Sequence, residues 1–223
     1  MQAYKRKRAL ITGASSGIGA AFAHKLAASQ YDLVLVARRK ERLTSLAAEL
    51  HQQFHIDAEV LVADLARPSD VERIEQRIGE LGDLDLLVNN AGFGTPGTFV
   101  EIPLERHLEM MAVHVLASVR LCHAALPGVI ARGQGAIINL SSIGAFMPKP
   151  GNETYCATKA YLLVFSDTIS LFFRHPSAST QRSLSQKRYS HKRGERRLHR
   201  TCVCDVRSLS GRREARGDDE HDT

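Results

Sequence analysis

Short apolar segments alternate with longer amphipathic segments along the first 173 residues. The short segments are continuous runs rich in leucine and β-branched residues, which is typical of strands buried on both faces. These predicted strands cover residues 8–13, 32–37, 58–64, 84–92 and 135–142. Apolar residues at helical spacing predict helices over residues 17–29, 40–54, 68–81, 104–131 and 154–173. The alternation indicates repeated βαβ units, and therefore a doubly wound parallel α/β sheet of the Rossmann-like type.

The pattern stops after Phe173. Residues 174–223 contain basic clusters such as QKRYSHKRGERRLHR and no apolar run of strand length. Such a segment cannot offset the cost of ordering its backbone, about 1–2 kcal/mol per residue. We therefore predict two parts, a folded domain over residues 1–173 and a disordered basic tail over residues 174–223.

Charge follows the same division. The chain carries a formal net charge of +6, but residues 1–173 contain 17 basic and 17 acidic side chains. The whole excess lies in the tail, where Tyr189 is the one aromatic residue among the basic clusters. Base recognition needs interleaved aromatic side chains, so the composition favours a solvated tail and no nucleic-acid partner.

The cysteines and the N-terminus bear on location. Four cysteines, at 122, 156, 202 and 204, lack the spacing of a disulfide framework, and no apolar segment follows the basic start MQAYKRKR. Cys202 and Cys204 have no second pair of ligands at zinc spacing, so we predict unpaired thiols and no metal site. No uninterrupted apolar run reaches the roughly 18 residues that span a bilayer. We expect a cytoplasmic protein without a membrane partner.

A glycine-rich turn follows the first predicted strand. In ITGASSGIG, Gly13, Gly17 and Gly19 allow a tight turn and a close backbone approach to a ligand. The N-terminus of the following helix favours a pyrophosphate group. The spacing is G-x-x-x-G-x-G, so a purely structural turn is the alternative.

Two arginines end the second strand, where an NAD-selective protein places an acidic residue. The guanidinium groups of Arg38 and Arg39 suit a ribose 2′-phosphate, which favours NADP over NAD. The alternative is that one or both arginines only cap the second helix. Asp64, at the end of the third strand, is placed to bond an adenine or to cap the next turn.

Four motifs in a fixed order resemble the short-chain dehydrogenase/reductases over about residues 6–173. They are T-G-x-x-x-G-x-G at 12–19, N-N-A-G at 89–92, a serine in INLSS and Y-x-x-x-K at 155–159. The resemblance implies an NAD(P)-dependent oxidoreductase that interconverts a carbonyl and an alcohol.

Tyr155 and Lys159 lie on one helical face because they are four residues apart. A phenol with a pKa near 10 is only about 0.1% ionised at pH 7, and a nearby cation lowers that pKa by about 1–3 units. Ser142 precedes Tyr155 by 13 residues and its hydroxyl is placed to hold a carbonyl oxygen. We prefer it to Ser141, whose side chain points to the opposite face if the strand continues.

By resemblance, Ser142 orients the substrate, Tyr155 is the acid/base, and Lys159 tunes Tyr155 and bonds the nicotinamide ribose. The family pattern assigns cofactor contacts to the glycine turn, the ends of strands two to four, and the catalytic pair. These residues are Gly13, Ser15, Ser16, Gly17, Ile18, Gly19, Arg38, Arg39, Asp64, Leu65, Asn90, Ala91, Gly92, Tyr155 and Lys159.

Two features depart from the family pattern. His114 stands where the family usually has an asparagine that contributes to a proton path. If a main-chain carbonyl at a helix irregularity is what matters there, a histidine is tolerated; if the amide side chain matters, the relay is impaired. A buried structural histidine is the third interpretation.

The second departure is the C-terminal part. The family continues with another strand, a Pro-Gly turn, a substrate-covering segment and a final strand, and none is recognisable after Phe173. We therefore expect a sheet without its last one or two strands, and hypothesise that the tail is out-of-frame or otherwise non-native sequence. An inactive remnant that binds nucleotide weakly or not at all is the alternative function.

The substrate is predicted to be a hydrophobic carbonyl or alcohol. Apolar residues beside Ser142 are expected to line its site: Phe93, Gly94, Ala145, Phe146 and Met147. Family members often form dimers or tetramers through the fourth and catalytic helices. The apolar residues Leu162, Leu163 and Phe165 are compatible with such an assembly.

Overall fold

The computed structural model describes residues 6–95, 97–174 and 202–205. The strands are β1 (Arg8–Thr12), β2 (Asp32–Ala37), β3 (Ala58–Val62), β4 (Leu84–Asn89), β5 (Ala136–Asn139) and β6 (Cys202–Asp205). The α-helices are α1 (Gly17–Ala28), α2 (Lys40–Phe54), α3 (Pro68–Leu81), α4 (Leu104–Met111), α5 (Ala117–Arg132) and α6 (Glu153–Arg174). The predicted strands and helices of the first 173 residues are all present, although β1, β3, β4 and β5 end one to three residues earlier than predicted and the helix predicted over 104–131 is divided into α4 and α5.

The sheet has the strand order β3-β2-β1-β4-β5-β6, and its first five strands are parallel. The chain moves outward from β1 to β3 and then returns to place β4 on the other side of β1. A doubly wound sheet opens a crevice at this reversal, beyond the carboxyl ends of β1 and β4. The predicted Rossmann-like fold is confirmed.

Two hydrophobic cores cover the two faces of the sheet. Alternate residues of β1 supply both: Leu10 belongs to the core with α3 and α5, and Ala9 and Ile11 belong to the core with α1 and α2. This division follows from the two-residue period of a strand. Because both faces are buried, the strands are apolar throughout, as the sequence pattern indicated.

The large apolar residues of α1, Ile18, Phe22 and Leu26, are four residues apart, and this spacing predicts that together they form its buried face. The structure buries a different face. Gly19, Ala23 and Ala27 are the buried residues of α1, whereas Ile18 is 62% exposed. Small residues at this spacing let the helix backbone approach the sheet closely, so the larger side chains lie at its flanks. Ile18 is thereby left at the crevice.

One short segment of the tail is ordered against the sheet. Cys202–Asp205 forms β6, which pairs with β5 in the antiparallel direction. The prediction that residues 174–223 are disordered is therefore wrong for these four residues, because edge pairing needs main-chain groups rather than a long apolar run. The predicted disorder of residues 175–201 and 206–223 lies outside the described residues.

A long helix, residues Leu104–Arg132, crosses one face of the sheet. It consists of α4, a five-residue π-helix (Ala112–Leu116) and α5. Its 29 residues and its mean hydropathy of 1.5 over the most apolar stretch are sufficient, by length and composition, to cross a membrane. Charged residues such as Glu109 and Arg120 interrupt its apolar sequence, so it is not a continuous apolar run. In this fold α5 packs against α3 and its apolar side chains, such as Leu121 and Ala125, belong to the core.

Candidate active site

A cleft of about 630 Å³ lies beyond the carboxyl ends of β1 to β4. It reaches from the glycine turn and the arginines after β2 to the first turns of α6. Its walls include the predicted cofactor-binding residues, with one exception: Gly13, Ser15, Ser16, Gly17, Ile18, Arg38, Arg39, Asp64, Leu65, Asn90, Ala91, Gly92, Tyr155 and Lys159. The exception is Gly19, which is buried beneath the turn.

The glycines make room for close packing around the turn. Gly13 has a φ of +67°, and a Cβ placed on it would lie 2.8 Å from the Asn90 Nδ2 atom. A Cβ on Gly19 would lie 2.3 Å from the Gly13 carbonyl oxygen. Gly19 therefore acts by allowing α1 to approach β1, not by contacting the cleft.

Thr12 joins the ends of β1 and β4 and was not singled out from the sequence. Its buried hydroxyl oxygen accepts hydrogen bonds from the main-chain N–H groups of Asn90 (3.0 Å) and Ala91 (3.1 Å). In return, Asn90 Nδ2 donates to the Thr12 carbonyl oxygen at 2.8 Å. These bonds hold the glycine turn and the N-N-A-G segment together as one wall.

The two arginines after β2 have different partners. Arg39 donates to the Ser15 hydroxyl at 2.8 Å and to the Ser16 hydroxyl at 2.6 Å. Its side chain makes no capping bond to α2, so the capping alternative does not apply to Arg39. Arg38 is largely exposed and its Nη1 lies 3.7 Å from Glu109 Oε1 on α4.

Asp64 lines the cleft and also shapes the turn after β3. Its carboxylate accepts a hydrogen bond from the Ala66 N–H at 3.1 Å. Its own N–H donates to Asp70 Oδ2 at 2.8 Å, and this bond is the main reason that the pKa of Asp70 lies below its usual value. The turn-capping interpretation of Asp64 is therefore realised in the structure.

Tyr155 and Lys159 face the opposite end of the cleft. Lys159 is only 5% exposed, and its Nζ donates to the Leu140 carbonyl oxygen at 2.8 Å. The same Nζ lies 5.8 Å from the centroid of the Tyr155 ring. Burial lowers the pKa of Lys159 to about 8, because desolvation disfavours the ammonium form. The pair therefore combines a phenol with a closely held, desolvated cation.

Of the two serines after β5, Ser141 lines the cleft, whereas Ser142, the residue preferred from the sequence, is not among the lining residues. Ser141 donates its hydroxyl to the Lys159 carbonyl oxygen at 2.8 Å. Ser142 caps the short 3₁₀-helix Ile143–Ala145, accepting from the Gly144 N–H. A Cβ placed on Gly144 would lie 3.5 Å from Tyr155 Cε1 and 3.7 Å from Ser142 Oγ, so hydroxyl and phenol ring flank the same glycine.

The model of the family described as short chain dehydrogenase matches residues 7–174, which carry all of the motifs above. This chain belongs to the short-chain dehydrogenase family.

Among curated relatives, the short-chain dehydrogenase described as very-long-chain 3-oxoacyl-CoA reductase from Phaeosphaeria nodorum is 36% identical over 167 residues. The match covers 72% of this chain and 49% of the relative. The chain thus spans about half the length of this relative.

Two solved short-chain dehydrogenase structures share the fold. One, from Sphingobium yanoikuyae in complex with NADPH, is 42% identical with a TM-score of 0.72, covering 74% of this chain and 64% of that one. The other, a bulky-bulky ketone specific alcohol dehydrogenase from Comamonas testosteroni, is 36% identical with a TM-score of 0.73, covering 75% and 68%.

The cleft of this short-chain dehydrogenase fits a nicotinamide dinucleotide. The N-terminus of α1 opens into it beside Gly13 and Gly17, where main-chain N–H groups suit a pyrophosphate. A side chain at Gly13 or Gly19 would collide with neighbouring atoms, so the glycines maintain this close-packed wall. The site thus has the backbone donors and the shape that such a cofactor requires.

His114, the residue that departs from the family pattern, lies in the π-helix and is fully buried. Its Nε2 accepts from the Phe93 N–H at 3.0 Å and its Nδ1 lies 2.8 Å from the Thr158 hydroxyl oxygen. Desolvation, and secondarily the charge of Lys159, lowers the pKa of His114 to about 3. The ring is neutral at physiological pH and does not line the cleft.

Proposed function

We propose that this chain is an NADP-dependent oxidoreductase that interconverts a hydrophobic ketone and the corresponding alcohol. The proposal rests on one observation: the same cleft is lined by Tyr155 and Lys159 at one end and by Arg38 and Arg39 at the other. A dinucleotide lying between these ends brings its reactive ring to the phenol and its adenosine ribose to the guanidinium groups.

In the reduction direction, NADPH held by the glycine turn, Arg39 and Lys159 would supply the hydride for the carbonyl carbon. Ser142 donates a hydrogen bond to the carbonyl oxygen and Tyr155 transfers its phenolic proton to that oxygen. The Lys159 ammonium stabilises the phenolate that remains, and solvent restores the proton. One hydride and one proton are consumed for each alcohol formed.

The NADP preference rests on charge. Arg39 is already held beside Ser15 and Ser16 by hydrogen bonds, so its guanidinium and these hydroxyls form a set of donors for a 2′-phosphate. We expect Arg39→Ala to raise the Kd of NADPH at least about 10-fold and to leave the Kd of NADH nearly unchanged. Arg42→Ala, an exposed neighbour on α2, is the control. An equal loss for both nucleotides would contradict the assignment.

The substrate class rests on the apolar surroundings of the catalytic end. Phe93 and Gly94 line the cleft, and Ile143, Phe146 and Met147 after β5 are each more than half exposed. A surface of this kind favours an apolar ligand. The names of the relatives, which refer to a long-chain acyl ketone and to a bulky ketone, support a hydrophobic carbonyl substrate.

A second copy of the chain and a cytoplasmic location complete the proposal. Leu162, named from the sequence as compatible with an assembly, is buried within its own protomer, so that part of the expectation is wrong. Exposed apolar residues on these helices include Leu116 on the long helix and Tyr161 and Val164 on α6. Two copies that bury these residues against each other would form a dimer, which sedimentation equilibrium tests.

The function is tested by two measurements on the full chain. Fluorescence titration gives the Kd of NADPH, and a panel of hydrophobic ketones tests for oxidation of NADPH. Tight NADPH binding with turnover of at least one ketone is the expected result. Binding without turnover of any ketone would instead favour an inactive remnant and overturn the proposal.

A further inference from the structure

Four groups near Tyr155 are joined by consecutive hydrogen bonds. The Phe93 N–H donates to His114 Nε2, so Nε2 carries no proton and the neutral ring bears its proton on Nδ1. Nδ1–H therefore donates to the Thr158 hydroxyl oxygen, and that hydroxyl donates to the Tyr155 carbonyl oxygen at 2.8 Å. The connection after β4 is thus bonded through one imidazole to the helix that carries the phenol.

The imidazole also fills the space between the two rings that flank the reaction site. The His114 ring lies edge-on to Phe93, with 5.9 Å between centroids, and edge-on to Tyr155, with 5.8 Å between centroids. A Cβ placed on Gly92 would lie 2.8 Å from His114 Nε2, so the main chain is packed directly on the ring. A change in the position of this ring would move both walls.

A second histidine repeats the arrangement two turns earlier on the long helix. His107 Nε2 donates to the Phe99 carbonyl oxygen (3.2 Å), and His107 Nδ1 lies 2.8 Å from the Thr154 hydroxyl oxygen. Thr154 and Thr158 are four residues apart and lie on either side of Tyr155 in the sequence. Phe93 and Phe99, both in the connection between β4 and α4, are therefore each linked through a buried histidine to a threonine of α6.

We propose that His114 is a positioning residue for the reaction, which acts through Thr158 to hold the Tyr155 phenol against the Phe93 wall of the substrate site. It does not carry a proton to Lys159. Both ring nitrogens are already committed, and protonating Nε2 would set an N–H group against the Phe93 N–H. This inference rests on the proposed function, because it assigns His114 to the placement of the general acid.

The hydrogen bonds can be tested without turnover. Long-range ¹H–¹⁵N correlation spectra of the ¹⁵N-labelled chain report the tautomer of each histidine, and His114→Asn assigns the signal. We expect the His114 ring to be protonated on Nδ1 and bare on Nε2 from pH 5 to pH 8. A ring protonated on Nε2, or one that titrates within this range, would overturn the inference.

Kinetic measurements test the effect on the reaction. Thr158→Val and His114→Phe should each lower kcat about 10-fold or more, because small displacements of a reacting group are costly, with NADPH affinity and the shape of the pH profile unchanged. Thr158→Ser keeps the hydroxyl group and should therefore retain the kcat of the unaltered chain. The double variant should be no slower than the slower single variant, since both remove one linked contact.

His123→Phe is the matched control, because His123 is exposed on the same long helix. Unchanged kcat in both Thr158→Val and His114→Phe, or multiplied effects in the double variant, would contradict the positioning role. If the unaltered chain binds NADPH but reduces no ketone, the proposed function fails. The measured tautomer of His114 then still shows whether the ring makes the hydrogen bonds described above. The two failures are therefore distinguishable.

Discussion

Removing the buried ammonium of Lys159 is expected to stabilise the fold while abolishing turnover. The pKa of Lys159 falls from its ordinary value of 10.5 to about 8, chiefly because the group is desolvated. The folded chain therefore binds fewer protons than the unfolded chain between these two values, and stability rises with pH there. Below pH 8 the charged amine is held in the protein at a cost, as often occurs at functional sites.

The size of the effect on the free energy of unfolding follows from the change in the pKa of Lys159. One pKa unit corresponds to about 1.4 kcal/mol, so at pH 7 the buried charge of Lys159 lowers the free energy of unfolding by about 3 kcal/mol relative to the neutral amine. Between pH 7 and pH 9.5 about 2 kcal/mol of this cost is relieved, because the folded amine has lost its proton while the unfolded one still holds it.

The assay compares urea unfolding of the unaltered chain and Lys159→Met at pH 7 and pH 9.5, followed by circular dichroism. The stability advantage of Lys159→Met should shrink by about 2 kcal/mol at the higher pH. Lys149→Met, at an exposed position before α6, is the control and should show no such change. A Lys159→Met advantage that is absent at pH 7, or that does not vary with pH, would show that the Lys159 ammonium is not held at a desolvation cost.

Two further predictions concern other parts of the site. Gly19→Ala places a Cβ 2.3 Å from the Gly13 carbonyl oxygen and should strongly lower the free energy of unfolding, whereas a Cβ at Gly17 meets no protein atom and Gly17→Ala should lower it by only about 1–2 kcal/mol for its positive φ. Equal losses in urea unfolding would contradict this. Burial lowers the pKa of His114 from 6.5 to about 3, so below pH 6.5 the folded chain binds fewer protons than the unfolded chain. The free energy of unfolding should therefore fall by about 2 kcal/mol between pH 7.5 and pH 5. Urea unfolding should show that His114→Asn lacks this loss, and an identical acid sensitivity would argue against a neutral buried ring.

The periodic elements could be predicted because their signals are local. The continuous apolar run Leu33–Val36 reflects burial on both faces of the sheet, and the helical spacing in α3 reflects one buried face of that helix, so the bounds of β2 and α3 agree with the prediction. The motif order placed Tyr155 and Lys159 in one cleft with the glycine turn, because parallel strands all end at the same edge.

Contacts between distant segments could not be predicted in the same way. The bonds of His114 join residues 21 and 44 positions apart, and a single sequence contains no signal for their geometry. A partial signal existed in two helical spacings: His107 and His114 are seven residues apart and Thr154 and Thr158 are four apart, so each pair lies on one face of its helix. The exposure of Ile18 was missed because small residues, not large ones, form the contact face of α1.

The edge strand β6 illustrates a different limit. Its pairing with β5 uses main-chain groups, which every residue possesses, so the composition of Cys202–Asp205 does not identify it. Apolar patterns are therefore a weak signal for an edge strand, because main-chain groups make the pairing.

The most direct test of the proposed mechanism is the turnover of Tyr155→Phe with NADPH and a ketone that the unaltered chain reduces. Tyr161→Phe, which removes an exposed phenol from the same helix, is the control. We expect Tyr155→Phe to lower kcat by about 10²- to 10⁴-fold with little change in the Kd of NADPH, and Tyr161→Phe to change neither. Turnover by Tyr155→Phe equal to that of the unaltered chain would contradict the proposed mechanism.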